Sequence, residues 1–292
     1  MALFFVAILI ALVLVHFLPE PQRLRDFSWL RYWQAQGAQQ SSGGLGLVLS
    51  IGLPVLLCLL IQFALHASLF GLPSLVFAVA MFAYCMGPRD LERDVEAVDK
   101  APDSDARTAA AQALRADEAP GPLPFRAAEL VESAFVAGLR RVFGVIFWFV
   151  LLGPAGALLY RVTQLLAYSP EHSTTLPVAQ QDLARKFARA LDWLPAHLIA
   201  LALALASDFD AVFKAWREYH AALPQGAFSA DPEFLNVIAR ASVDADVAGG
   251  DGHVVDVHEP LVALDDALTL IRRVLIVWIA LIALIVIGGW FA

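Results

Sequence analysis

The chain has 292 residues, 59% of them apolar and 16% charged, with a mean hydropathy of +0.67 and a formal net charge of −8. Soluble globular chains are about half apolar with roughly a quarter of their residues charged, so a soluble enzyme with an incidental anchor is excluded. The apolar residues form continuous blocks rather than the alternating segments of roughly ten residues that a barrel needs, and no long basic tract points to nucleic acid.

The expected fold is therefore all-α: a polytopic helical membrane protein with four to five transmembrane helices plus interfacial and loop helices. Cys58 and Cys85 both fall inside apolar runs and read as small buried hydrophobes rather than a disulfide or a metal pair.

The first apolar run, Ala2 to Leu18, lacks a positive leading region and a small-residue cleavage site, so it reads as a retained span. The linker from Pro19 to Gly44 carries Arg23, Arg25 and Arg31 with Trp29, Tyr32 and Trp33, the residue types that a membrane interface favours. A short helix lying along the headgroups is predicted there. The run from Leu45 to Met86 is long enough for two spans, broken between His66 and Pro73, and reads as a tight helical hairpin. Between residues 88 and 141 the chain is polar: a charged helix opens it, Ala101 to Pro124 reads as a mobile loop, and Phe125 to Arg141 is amphipathic.

Val142 to Tyr160 is the next predicted span, kinked at Pro154. The stretch from 161 to 273 is polar apart from a short apolar helix near 194–206, which as a helix covers only about 20 Å against a hydrocarbon thickness of about 30 Å. Lys and Arg counting favours a crossing there, with both termini outside. With a crossing, one side holds only Arg161, Arg185, Lys186 and Arg189, and the other holds the remaining loop cations, including the eight between 88 and 141; without it, the two sides nearly balance. Ala221 to Pro260 is turn-rich and acidic, and Arg272 and Arg273 precede a last span, Val274 to Trp290. All of residues 1–292 are expected to form one membrane domain.

Two stretches carry candidate chemistry. Phe147-Trp148-Phe149 runs into Gly153-Pro154-Ala155-Gly156-Ala157 and ends on Tyr160-Arg161. A kinked span packed through small residues, with an interfacial Tyr-Arg anchor, accounts for it. The functional alternative is a pocket lined by Gly153, Pro154, Gly156, Tyr160 and Arg161, in which the Arg161 cation meets an anionic ligand or a buried carboxylate. The second stretch, Leu191-Asp192-Trp193-Leu194-Pro195-Ala196-His197, reads as a helix start capped by Asp192. His197 is either structural or a proton-linked group beside the same pocket.

The acidic loop holding Asp244, Asp246, Asp251, His253, Asp256, His258 and Glu259 matches no zinc or calcium spacing and reads as solvated carboxylates. No metal, no cofactor and no catalytic residue is expected from these patterns; phosphate-loop, nucleophile-elbow and dinucleotide motifs do not occur.

The Phe-Trp-Phe…Gly-Pro-x-Gly-Ala-Leu-Leu-Tyr-Arg run, followed by Leu-Asp-Trp-Leu-Pro-Ala-x-Leu, resembles the AmpE family, which shares a superfamily with the cobalamin-biosynthesis membrane proteins CobD and CbiB. The resemblance extends along most of the chain. It implies a multi-pass protein of the bacterial inner (cytoplasmic) membrane with a regulatory or signalling role in AmpC β-lactamase induction. The partners it implies are the lipid bilayer and a cell-wall-recycling or β-lactamase-regulation protein; oligomerisation is left open.

The corrinoid branch, which attaches aminopropanol through an amide, usually continues after Tyr-Arg with Asn-Thr and an Asp-Ser-Met segment. Here the chain reads Val162-Thr163-Gln164-Leu165-Leu166-Ala167-Tyr168, and Pro-Ala-Arg is replaced by Pro195-Ala196-His197. A regulatory role is therefore the expectation, with an amide-forming enzyme or a small-molecule transporter as alternatives.

Overall fold

The computed structural model describes residues 2–17, 25–37, 44–66, 71–87, 89–115, 121–222, 232–249 and 259–289. Among them every regular element is helical. The first five helices are α1 (Ala2–Phe17), α2 (Ser28–Gly37), α3 (Gly44–His66), α4 (Leu72–Cys85) and α5 (Leu91–Asp99). There follow α6 (Ser104–Ala111), α7 (Ala127–Gly138), α8 (Gly144–Leu152), α9 (Pro154–Tyr168) and α10 (Pro170–Ser173). The last four are α11 (Val178–Ala206), α12 (Phe209–Ala222), α13 (Glu233–Gly249) and α14 (Pro260–Ile287). A 3-10 turn, Gln112–Arg115, follows α6, and a π-helical turn, Leu139–Phe143, joins α7 to α8.

Four segments are long and apolar enough to cross a bilayer, by length and composition: Gly44–Leu65, Ala127–Leu152, Val178–Ala206 and Pro260–Ile287. Ala2–Val15 and Leu72–Cys85 are shorter apolar helices. Only 28% of the Gly44–Leu65 window and 22% of the Pro260–Ile287 window are buried, against 61% for Ala127–Leu152. Apolar faces that large and uncovered are stable only against lipid. The chain is a multi-pass membrane protein.

Several elements differ from the sequence expectation. The kinked span over 142–160 is instead two helices. Gly153 adopts φ 71° and ψ −155°, which ends α8, and Pro154 starts α9, where its missing N–H costs nothing. The amphipathic stretch before residue 142 is continuous with the span through the π turn, giving 26 residues. The short helix near 194–206 is the end of the 29-residue α11, about 43 Å long, because the turns from 178 onward keep a helical apolar stripe. Asp192 and Pro195 therefore lie inside a helix rather than at its start.

The loop expected over 101–124 contains α6, capped by Asp103, whose Oδ1 accepts from Ala106 N at 2.7 Å. The turn-rich stretch over 221–260 contains α13, and the helix bearing the last span begins at Pro260, well before Arg272. Most of the acidic loop around Asp251, His253, Asp256 and His258 lies outside the described residues, as do parts of the 19–44 linker and the 67–70 turn.

The chain forms two compact units. The first comprises Met1–Arg89, Gly144–Ala188 and Ile282–Ala292. There Phe149 of α8 meets Phe4 of α1 and Phe82 of α4 edge-on at centroid distances of 5.5 and 4.9 Å. The second comprises Asp90–Phe143 and Arg189–Leu281. In it α13 packs on α7 and α12, and Phe143 meets Trp278 of α14 at 5.2 Å.

Candidate functional site

In the first unit the break between α8 and α9 is fixed by sterics. A Cβ on Gly153 would lie 2.8 Å from both Gln62 Nε2 and Phe4 Cζ, and the positive φ already disfavours any other residue. A Cβ on Gly144 would sit 2.1 Å from the Tyr160 ring, so α8 and α9 approach with that ring laid on bare backbone. Gly156 likewise faces the Trp148 carbonyl, 2.1 Å from its own Cβ direction. Gly153 and Pro154 thus make the break in the helix, while Gly156 and Tyr160 line the close α8–α9 contact that follows it.

Breaking a helix leaves its first N–H groups without intrahelical acceptors, which is costly away from water. The carboxamide of Gln62 on α3 answers this by accepting from Ala155 N at 3.3 Å. Behind the break α9 is buried along nearly its whole length, with Tyr160, Arg161, Thr163 and Gln164 enclosed. Thr163 Oγ1 donates to the Leu159 carbonyl at 2.8 Å. Arg161 is 1% exposed, an enclosed cation on a buried helix.

Next to this helix, His172 is held by two partners at 3.2 Å: Nε2 donates to the Phe27 carbonyl, and Nδ1 faces Ser169 Oγ. Burial pushes its imidazole below the usual value, opposed by the Phe27 carbonyl and the Glu171 charge and aided by the Arg31 and Arg161 charges. The segment before α2 closes the end of α4. Arg25 donates to the carbonyls of Ala83 and Gly87, while Trp29 Nε1 donates to Tyr84 Oη, which donates to the Asp26 carbonyl, both at 2.7 Å.

The second unit holds Asp192 and His197. Asp192, fully buried, accepts from Arg140 Nε at 3.3 Å. The adjacent Arg141 places Nη1 2.7 Å from Asp94 Oδ2 and donates through Nη2 to the carbonyls of Ala113 and Leu114 at 2.7 and 3.2 Å. Both arginines sit in the π turn, whose extra residue lets two consecutive side chains turn inward. His197 donates through Nδ1 to the Trp193 carbonyl at 2.7 Å and packs among Trp193, Trp216 and Phe234 at 4.3, 5.2 and 4.3 Å. It is embedded in an aromatic cluster.

This is an all-helical, multi-pass membrane protein built around a glycine-proline helix break and buried arginine–carboxylate pairs. A family model described as CobD/Cbib protein matches residues 8–227, a range that contains every candidate residue from Gly153 to His197. The chain belongs to the CobD/Cbib family. No curated protein and no solved structure matches it.

The sequence reading singled out neither Gln62, Arg140, Arg141 nor His172. Gln62 carried a signal, being the one side-chain amide in the apolar run from 45 to 65. Arg140 and Arg141 look in the sequence like two more loop cations, because a π turn has no composition signature. Only the fold reveals that Phe27 and His172 meet.

Proposed function

We propose that the chain is a regulatory membrane protein of the AmpE branch, acting in the bacterial inner membrane on AmpC β-lactamase induction through the cell-wall-recycling pathway. The observation that carries this reading is the turn after Tyr160-Arg161. There Val162, Leu165, Leu166 and Ala167 are buried packing residues, and the Thr163 hydroxyl is spent on the Leu159 carbonyl. A branch that handles a large polar corrinoid would place its Asn and Asp along that stretch. Asp192 is likewise engaged by Arg140 within the protein. In this reading the break and the α9 residues behind it, Gly153, Pro154, Gly156, Tyr160 and Arg161, are the ligand-responsive element, and a soluble partner of the recycling pathway reads its state.

The test is β-lactamase activity in a clean deletion strain, with and without a sub-lethal β-lactam, beside a complemented control. Altered basal or induced activity restored by the intact gene supports the assignment; unchanged activity in both conditions removes it.

Family membership over residues 8–227 favours a second reading, an amide-forming enzyme acting on a corrinoid or another large acid. A deletion strain that requires supplied cobalamin would establish that reading in place of the first.

A further inference from the structure

We propose that the cleft between α2, α3 and α4 holds one hydrocarbon chain of a membrane phospholipid as a discrete site, distinct from the lipid that surrounds the protein. The cleft lies wholly within the first unit and has a volume of about 590 Å³. Leu57 and Cys58 of α3 and Met81 of α4 form its sides, Leu158 of α9 its floor, and Trp29 and Trp33 of α2 one end.

Its chemistry excludes a polar occupant. The indole N–H of Trp29 is already given to Tyr84 Oη, and the Tyr84 hydroxyl to the Asp26 carbonyl, which leaves the Trp33 indole N–H and the weakly polar Cys58 thiol among walls that are otherwise carbon and ring faces. Water needs two to four polar partners to stay in such a space, more than one indole N–H and a weak thiol supply along its length, whereas an empty cleft of this size forfeits dispersion contacts along every wall.

Its position names the occupant. Leu53, Leu57 and Ile61 recur at four-residue spacing along the rim, remain 42%, 61% and 39% exposed, and belong to a helix long and apolar enough to cross a bilayer. The mouth therefore opens onto hydrocarbon. At the aromatic end α2 is a short amphipathic helix with exposed Arg31 and Tyr32, the composition that lies at headgroup level. The composition of α2 sets that end of the cleft at headgroup level, so the chain enters the cleft with its headgroup beside α2. This inference is independent of the pathway proposed above.

The test uses the full chain purified in mild detergent and analysed by native mass spectrometry with added palmitoyl-oleoyl phosphatidylethanolamine or phosphatidylglycerol. One phospholipid per chain is expected to survive activation that strips all other lipid. Filling the cleft with Leu57→Trp plus Met81→Trp should lower the retained fraction at least fivefold. Leu56→Trp, on the same helix but outside the cleft, should leave it unchanged.

Quenching of tryptophan fluorescence by a phospholipid brominated on its acyl chain gives a second readout that does not depend on the filled variant folding. Trp29→Phe with Trp33→Phe should remove the component of quenching that persists at one lipid per chain. Equal lipid retention in all variants, no retained lipid, or a quenching component that survives loss of both indoles would overturn the proposal. A dimer whose formation alone is blocked by the filled cleft would overturn it in favour of a second copy of the chain.

Discussion

Asp94 and Arg141, 47 positions apart in the chain, form a buried ion pair at 2.7 Å in which neither side chain is more than 2% exposed. Burying two charges is stabilising only when geometry and further hydrogen bonds repay their desolvation, and here the Ala113 and Leu114 carbonyls take up the second guanidinium nitrogen. Removing one partner leaves the other charge buried without compensation. Asp94→Ala or Arg141→Ala should therefore each cost about 3–5 kcal/mol of stability, and replacing both with apolar residues of similar size should cost clearly less than the sum. Denaturant unfolding in detergent of the two single variants and the double variant measures this; strict additivity would mean that the pair is not coupled.

Glycine substitutions should separate the hinge from ordinary helix. Gly153→Ala forces a side chain into φ 71° and against Gln62 and Phe4, a backbone cost of about 1–3 kcal/mol before any clash is counted. Gly144→Ala drives a methyl group into the Tyr160 ring. Gly52, also helical, has nothing within 4 Å of its Cβ direction, and alanine there should leave stability unchanged or raise it by up to about 1 kcal/mol. Thermal unfolding that ranks Gly52→Ala at or above wild type, with Gly153→Ala and Gly144→Ala below it, is the expected result.

The pH response follows from His172. Its imidazole is depressed in the folded state, chiefly by burial, so between the folded value and the ordinary value of 6.5 the unfolded chain binds more protons. The stability that His172 contributes is therefore complete above about pH 6.5 and declines as the pH falls through that value toward the folded one. Unfolding midpoints measured from pH 8 to pH 5 should drop on the acid side, and His172→Gln should flatten that drop. An equally steep decline in the variant would assign the acid sensitivity to other groups.

Hydropathy and interface chemistry made the membrane class, the α2 helix and the α3–α4 pair legible, because apolar run length and Trp/Arg placement act locally. The α8–α9 break was half legible. Gly153-Pro154 announces an interruption, but a kink and a full restart differ by one backbone angle that sequence does not encode. The 29-residue α11 was hidden because Pro195 and Asp192 are normally start signals, and only packing keeps the helix running through them. Gly153 through Arg161 stand together in a local motif that the sequence displays. Arg140 and Arg141 carry no such signal, since their meaning depends on a π turn and on carboxylates at positions 94 and 192.

Arg161 is where the proposed function is most exposed to test. It lies enclosed on α9, one turn beyond the hinge glycines, and its charge is felt at His172. A cation held this deep is costly to keep, and the proposed function makes it the group through which the hinge responds to an anion. Arg161→Ala should abolish the β-lactamase induction phenotype while membrane abundance stays at the wild-type level. Arg161→Lys, which keeps the charge but loses the planar fork, should give a partial response. Immunoblots of membrane fractions beside induction assays read both quantities. Full induction in Arg161→Ala removes the residue from the function. Loss of protein from the membrane in both variants makes it a packing residue, because a signalling cation can be lost without losing the fold.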